Sequence, residues 1–430
     1  MSSVYERRGI SRWLASASGP AFSAYAIAAA FSTYFCMYAF RKPFAAAGYS
    51  ELEGVALFGT MLSFKGAGVI AQILGYAASK YLGVKICSEV GYAKRGRTIL
   101  ALIGVAELAL LAFALLPGPW KFLAMFANGL PLGMVWGLVF GFLEGRRISE
   151  LLGAGLSCSY IVASGYVKGV GQWWLDRGLE EVWMPFVTGA TFTVPLLLAV
   201  YFLSRIPPPS EADEAARTKR VAMDGAMRSG FLRSNLWGMV PLLLLYFFLT
   251  AHRDFRDNFA AEIWTDLGYG AKPSNFTTSE NWITFGVLIS LALLMLVQTH
   301  RRAVVAVYAL MVLGSLLLGA VTLAYQAESI DGRTFMTGVG LGMYLAYVPF
   351  GCVLFDRLQA LLGNAGNALF GIYLTDALGY TGSVSVMLFK EFGRAELSFL
   401  AFFEGFSLFT SALCVLCFAV SLSGFLRAAR

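Results

Sequence analysis

Six basic side chains lie inside long apolar stretches of this chain: Arg41, Lys42, Lys65, Lys168, Arg253 and Arg256. A charged side chain at the centre of a membrane helix costs roughly 2.5–3.5 kcal/mol on insertion scales, so a group of them requires water, a counter-charge or a ligand. Two arginines and several lysines suit an anion: a guanidinium fork holds phosphate or carboxylate oxygens in pairs, and an ammonium adds a mobile point charge. Lys65 comes about eleven residues into its apolar run, where it either lines a polar cavity or enters a structural ion pair. Arg41 and Arg253 come late in theirs. Arg256 follows Arg253 by one helical turn, so the two face one side, with Asp254 and Asp257 available as neutralising neighbours. Carboxylates at comparable depth are fewer, Glu107 and Asp376. Both are read as coupling groups or counter-ions, with the counter-ion role preferred for Asp376. Tyr38 adds a hydroxyl near Arg41.

The elements that position these groups follow from composition. Apolar residues make up 58% of the 430 and charged residues 14%, and the mean hydropathy is +0.66. A soluble chain of this length cannot hide so much apolar surface, so the expected solvent is lipid. Twelve apolar runs are long enough to cross roughly 30 Å of hydrocarbon: 22–41, 55–79, 98–116, 122–143, 151–174, 184–204, 236–256, 282–299, 303–325, 334–355, 364–389 and 398–424. The first is read as a retained span. The fold class expected is an all-α polytopic membrane protein of about 12 transmembrane helices.

The runs fall into two related sets. Tyr34-Phe35, Ala39 and Arg41 recur as Tyr246-Phe247, Ala251 and Arg253 at an offset of 212, and Phe140-Gly141 with Leu151-Leu152-Gly153 recur as Phe350-Gly351 with Leu361-Leu362-Gly363 at 210. Between the sets, Pro207-Pro208-Pro209 and a mixed-charge stretch stop the sixth helix and keep the connection in water. The expected organisation is a six-helix half over 1–204, a cytoplasmic linker over 205–235 and a second six-helix half over 236–430. Halves repeated around a midplane site are an architecture of secondary transporters. In the fourth run, Gly129, Gly133, Gly137, Gly141 and Gly145 repeat every fourth residue, as in a close helix seam in lipid.

The net charge of +7 does not indicate nucleic acid, because most of the 33 Lys and Arg fall on loops of one side. Only Lys121, Arg177, Lys272, Arg333, Lys390 and Arg394 fall on the other. This positive-inside bias places both termini in the cytoplasm of a cell whose inner or plasma membrane holds the protein. The six cysteines have no zinc-ligand spacing and are expected to be packing residues, with no metal and no cofactor. The sequon at Asn275-Phe276-Thr277 falls on an outward loop.

Twelve spans, a central linker and paired arginines resemble the major facilitator superfamily. Tyr38-Ala39-Phe40-Arg41-Lys42-Pro43-Phe44 is similar to the first-helix motif of its organophosphate:phosphate antiporters. That resemblance implies a phosphate-binding arginine at Arg41 and its counterpart at Arg253. Ser79-Lys80-Tyr81 resembles that family's Ser-Lys-aromatic and makes Lys80 a further candidate ligand. The chain departs from the superfamily in the loop after its second helix, which reads Ser88-Glu89-Val90 with the basic cluster delayed to Lys94-Arg95-Gly96-Arg97. The expectation is a divergent bacterial branch.

The function expected is therefore secondary active transport of a small organic anion, a phosphorylated solute or phosphate first. The substrate-binding candidates are Arg41, Lys42, Lys65, Arg253, Arg256, Tyr38 and Lys80. The alternatives are a non-transporting sensor of the same fold and a facilitator for a neutral solute. No phosphate loop of Gly-x-x-x-x-Gly-Lys-Ser/Thr type occurs, and two histidines with no Ser-His or paired-carboxylate constellation argue against an enzyme. The partners expected are a small-molecule anion and the bilayer, with no nucleic acid; the sequence leaves the oligomeric state open, a monomer being one plausible form.

Overall fold

The computed structural model describes residues 9–57, 59–146, 148–210, 213, 225–297, 299–362, 368–394 and 396–429. Among these, seventeen α-helices follow one another. The first eight are α1 (Gly9–Ser16), α2 (Gly19–Tyr38), α3 (Phe64–Glu89), α4 (Arg95–Leu115), α5 (Trp120–Leu132), α6 (Val135–Phe140), α7 (Ser149–Leu175) and α8 (Met184–Leu203). After the linker come α9 (Gly225–Ser234), α10 (Leu236–Asn258), α11 (Ala260–Asp266), α12 (Pro273–Met295), α13 (His300–Gln326), α14 (Gly332–Pro349), α15 (Phe355–Leu362), α16 (Ala368–Gly393) and α17 (Phe399–Ala428).

Each of the twelve apolar runs is occupied by helix. Eight stretches are long and apolar enough to cross a membrane, with α5–α6 and α14–α15 each counting as one. The remaining runs are covered by α3, α7, α12 and α16. Leu108, Leu123, Val194, Leu293, Leu313 and Leu416 stand exposed on these helices. Such a surface suits hydrocarbon, and helices satisfy their own backbone there. The chain is an all-α polytopic membrane protein.

Contacts group the chain into two compact units. One comprises Met1–Phe44 with Leu74–Thr218, the other Ala45–Ile73 with Lys219–Arg430. In the first, α2 packs on α7 and α8, and α4 on α5 and α8. In the second, α10 packs on α16 and α17, α13 on α14 and α17, and α12 on α14. Part of the glycine stripe acts here: a Cβ on Gly133 would meet the Ser79 side chain and the Tyr76 carbonyl of α3 at 2.7–2.8 Å. The stripe does not ride on one uninterrupted helix, since turns separate α5 from α6 and follow Phe140.

Two expectations are corrected. The run 55–79 is not one span: β1 (Val55–Leu57) and β2 (Thr60–Leu62) form an antiparallel hairpin, Val55 opposite Leu62 and Leu57 opposite Thr60. Gly59 holds the left-handed backbone of its turn at φ +79°. The helix therefore begins at Phe64 and places Lys65 in its first turn. The first span was also expected to continue as helix past Arg41, but α2 ends at Tyr38. Pro43 has no N–H to donate, and its ring disfavours helical backbone at Lys42. Arg41 and Lys42 instead close a turn by donating to the Tyr38 carbonyl at 3.1 and 2.9 Å, and a 3-10 turn over Pro43–Ala46 follows.

Five cysteines, Cys36, Cys158, Cys352, Cys414 and Cys417, are buried free thiols; the side chain of Cys87 lies outside the described residues, as do those of Ser88 and Glu89. The sequon is not displayed on a loop: Asn275 is buried in the first turn of α12 and donates to the Gly270 carbonyl at 2.9 Å.

Candidate functional site

In the first unit the basic residues gather at the break after α2. Arg41 and Lys42 are 3% and 2% exposed, and Lys168 on α7 is 3% exposed. The Arg41 guanidinium lies 3.9 Å above the ring centroid of Tyr76 on α3, and the Lys80 ammonium lies 5.4 Å from the same centroid. Tyr76 and Lys80 are four residues apart and share a helix face, so one ring holds cations from two elements. Tyr38 stands edge-on to Tyr34 at 5.6 Å. The structure thus brings together Arg41, Lys80 and Tyr76, the last of which composition alone did not single out. The side chain of Tyr81 lies outside the described residues.

A helix that stops inside a bundle leaves carbonyls to satisfy. Asn128, fully buried on α5, donates to the Phe40 carbonyl in the break and to the Ala106 carbonyl of α4, both at 2.9 Å. A lone Asn in the middle of an apolar run was the available sequence clue. Away from their ends, the helices of this unit carry one carboxylate in sequence, Glu107. Both of its oxygens are buried without a hydrogen-bond partner, and they face Gly189 of α8. Among the described residues, Glu107 therefore hydrogen-bonds none of the buried cations of its unit.

The second unit is built on ion pairs. On α10, Arg253 donates Nε and Nη2 to Asp254 at 3.1 and 2.7 Å. Its Nη1 donates to the Tyr347 hydroxyl, and its guanidinium lies 4.5 Å from that ring. Ser383 on α16 donates to the other Asp254 oxygen at 2.7 Å. Arg256, one turn on, is buried and donates to Glu280 of α12 at 2.8 Å and to the Met336 carbonyl of α14 at 3.1 Å. Lys65 donates to both Glu262 oxygens, at 2.5 and 2.7 Å, and to the Ala45 carbonyl at 3.0 Å. Of the two readings open for Lys65, the ion pair describes it. Asp376 on α16 accepts from the Tyr246 hydroxyl at 3.1 Å, and Tyr246 stacks on Tyr347. His252 is fully buried against Phe403 and bonds Ser407 at 2.8 Å, a packing role. Among the described residues, no group of three or more His, Cys, Asp or Glu side chains is placed to hold a metal ion.

The model of a protein family of unknown function, DUF5690, matches residues 43–428. The chain belongs to this family. A search of the curated proteins finds no match. Solved structures show what this DUF5690 member is built like. A D-xylose–proton symporter superposes with a TM-score of 0.61 at 13% identity, over 93% of this chain and 96% of that one. A peptide transporter variant determined with sulfate gives 0.59 at 12% identity, over 94% and 95%. A bacterial homologue of the human drug peptide transporters gives 0.59 at 10% identity, over 95% and 100%. At these identities the likeness concerns the fold alone.

Proposed function

We propose that this chain is a secondary active transporter of a small organic anion, working by alternating access, and that phosphate or a phosphorylated solute is the cargo class its basic residues fit. The carrying observation is the positive charge buried in the first unit. Arg41, Lys42 and Lys168 are buried there, and the Arg41 guanidinium and the Lys80 ammonium lie over the one Tyr76 ring. A guanidinium fork with an ammonium close by suits phosphate or carboxylate oxygens. The resemblance of Tyr38 to Phe44 to the antiporter motif and the major facilitator fold support the same reading.

In this proposal Arg41, Lys42, Lys80 and Tyr38 bind cargo from the first unit, and Arg253 binds it from the second. Asp254 and Tyr347 fix the direction in which the Arg253 fork points. Arg256 and Lys65 fall outside the site, because Glu280 and Glu262 already hold them. Asp376 acts as a counter-ion. The halves, 1–204 and 236–430, move about a cytoplasmic linker over 205–235. With both termini inside, single cysteines replacing Ser210 and Ser274 in a cysteine-free background label from opposite sides with an impermeant reagent; labelling of both from outside contradicts this topology.

The test of cargo class is a thermal-shift screen of the purified protein against inorganic phosphate, phosphate esters, carboxylates and neutral sugars. A ligand at about 100 times its dissociation constant adds roughly 2.7 kcal/mol of stability. Stabilisation by phosphate esters is the expected result, and stabilisation by neutral sugars alone overturns the proposal. Flux of the best ligand into proteoliposomes then separates a transporter from a sensor.

A further inference from the structure

We propose that the cleft between the hairpin segment and the end of α16 binds a small organic monoanion, a carboxylate with an apolar or aromatic body, through Lys390. This site shares no residue with the transport site above and stands whether or not that reading holds. The cleft measures about 410 Å³, and its lining includes Tyr49, Leu52, Phe64, Lys390, Glu391 and Phe399.

Lys390 is 5% exposed, and its ammonium rests 4.9 Å from the centroid of the Phe399 ring. Among the described residues it has neither a hydrogen-bond acceptor nor an ion-pair partner. The adjacent Glu391 does not serve it: that carboxylate accepts from the Ser63 N–H at 3.3 Å and the Ser63 hydroxyl at 3.1 Å. Ser63 Oγ in turn accepts from the Gly66 N–H at 3.0 Å. The acid is committed to holding the hairpin against the start of α3, and the base beside it is left facing the cleft.

The Lys390 ammonium reaches the cleft without a protein acceptor among the described residues, so its donors remain uncommitted. A ligand carboxylate supplies the missing acceptor. The negative charge of Glu391 disfavours a second charge on the ligand, which selects a carboxylate over a phosphate dianion. Phe399, Phe64 and Leu52 give an apolar body a surface to cover, as pockets for small ligands generally do.

The probe is 4-azidobenzoate, photo-activated with purified full-length protein in nanodiscs of neutral lipid, with the labelled peptides read by mass spectrometry. Label is expected on peptides spanning residues 48–64 and 390–399. Benzoate should compete for it, and benzamide, which has the shape without the charge, should not. Labelling should fall roughly tenfold or more in Lys390→Gln, as loss of a charge-assisted bond requires. It should persist in Lys390→Arg and be unchanged in Arg41→Lys, which disables the proposed transport site alone. Label landing elsewhere on the wild-type protein, absence of label, or equal competition by benzamide overturns the proposal, and none of these outcomes depends on a variant folding.

Discussion

Arg41 and Arg253 occupy matching places in the two sequence halves, yet the chain around them is built differently. Around Arg41 the helix breaks at a proline, an amide from α5 satisfies the broken backbone, and an aromatic face receives the guanidinium. Around Arg253 the helix runs on to Asn258, and a carboxylate and a phenol clamp the fork. The first unit thus sets Arg41 and Lys80 over one aromatic ring, while in the second Arg253, Arg256 and Lys65 each have an acid partner. The contrast lies in local construction: an aromatic ring receives cations in the first unit, and carboxylates pair them in the second.

Substitutions in the two units should differ in cost. The largest effect is expected in the second unit, where Glu280→Gln strands Arg256 as a buried charge; removing one member of such a pair costs about 3–5 kcal/mol, readable by denaturation in detergent micelles. An unchanged stability means that Arg256 was never held by that pair. In the first unit, Asn128→Leu leaves the Phe40 and Ala106 carbonyls without their donor and should lower stability by about 2 kcal/mol. Lys65→Met should cost less, about 1 kcal/mol, because the Glu262 side chain is 19% exposed and can turn to water. Glu107→Gln is the smallest and the most discriminating. Amide and carboxyl are close in shape and neither has a partner there, so the exchange should cost less than about 1 kcal/mol. A loss resembling that of Glu280→Gln makes Glu107 a counter-ion of the first unit and removes the contrast between the halves.

The fold was legible because membrane helices are marked by length and hydropathy: eight of the twelve runs match helices long and apolar enough to span, and the other four carry helix as well. The run 55–79 shows the limit: apolar residues at 55–62 suit strand and helix alike, and hydropathy does not separate them. The helix break at Arg41 could have been read from Pro43, but the apolar residues that follow it argued for continuation. The second Phe-Gly echo proved informative, since Phe140-Gly141 ends α6 and Phe350–Leu354 is a short π-helical segment joining α14 to α15. Within the site, the basic residues stood out because charge in lipid is costly. Their partners did not. Glu262, Glu280, Tyr76 and Tyr347 are ordinary residues in sequence, and long-range packing alone brings them to Lys65, Arg256, Arg41 and Arg253.

The central proposal is that the cargo anion is bound by Arg41 and by Arg253. Lysine at either position keeps the charge and removes the fork, so the claim predicts large losses from nominally conservative changes. The direct measurement is isothermal titration of wild type, Arg41→Lys, Arg253→Lys and the double variant with the phosphate ester that stabilises the protein most. Each single change should weaken binding by roughly 2 kcal/mol, about thirtyfold. The double variant should lose less than the two losses combined, because both forks serve one ligand. Wild-type affinity in either single variant contradicts the claim and leaves that arginine a structural residue of its helix.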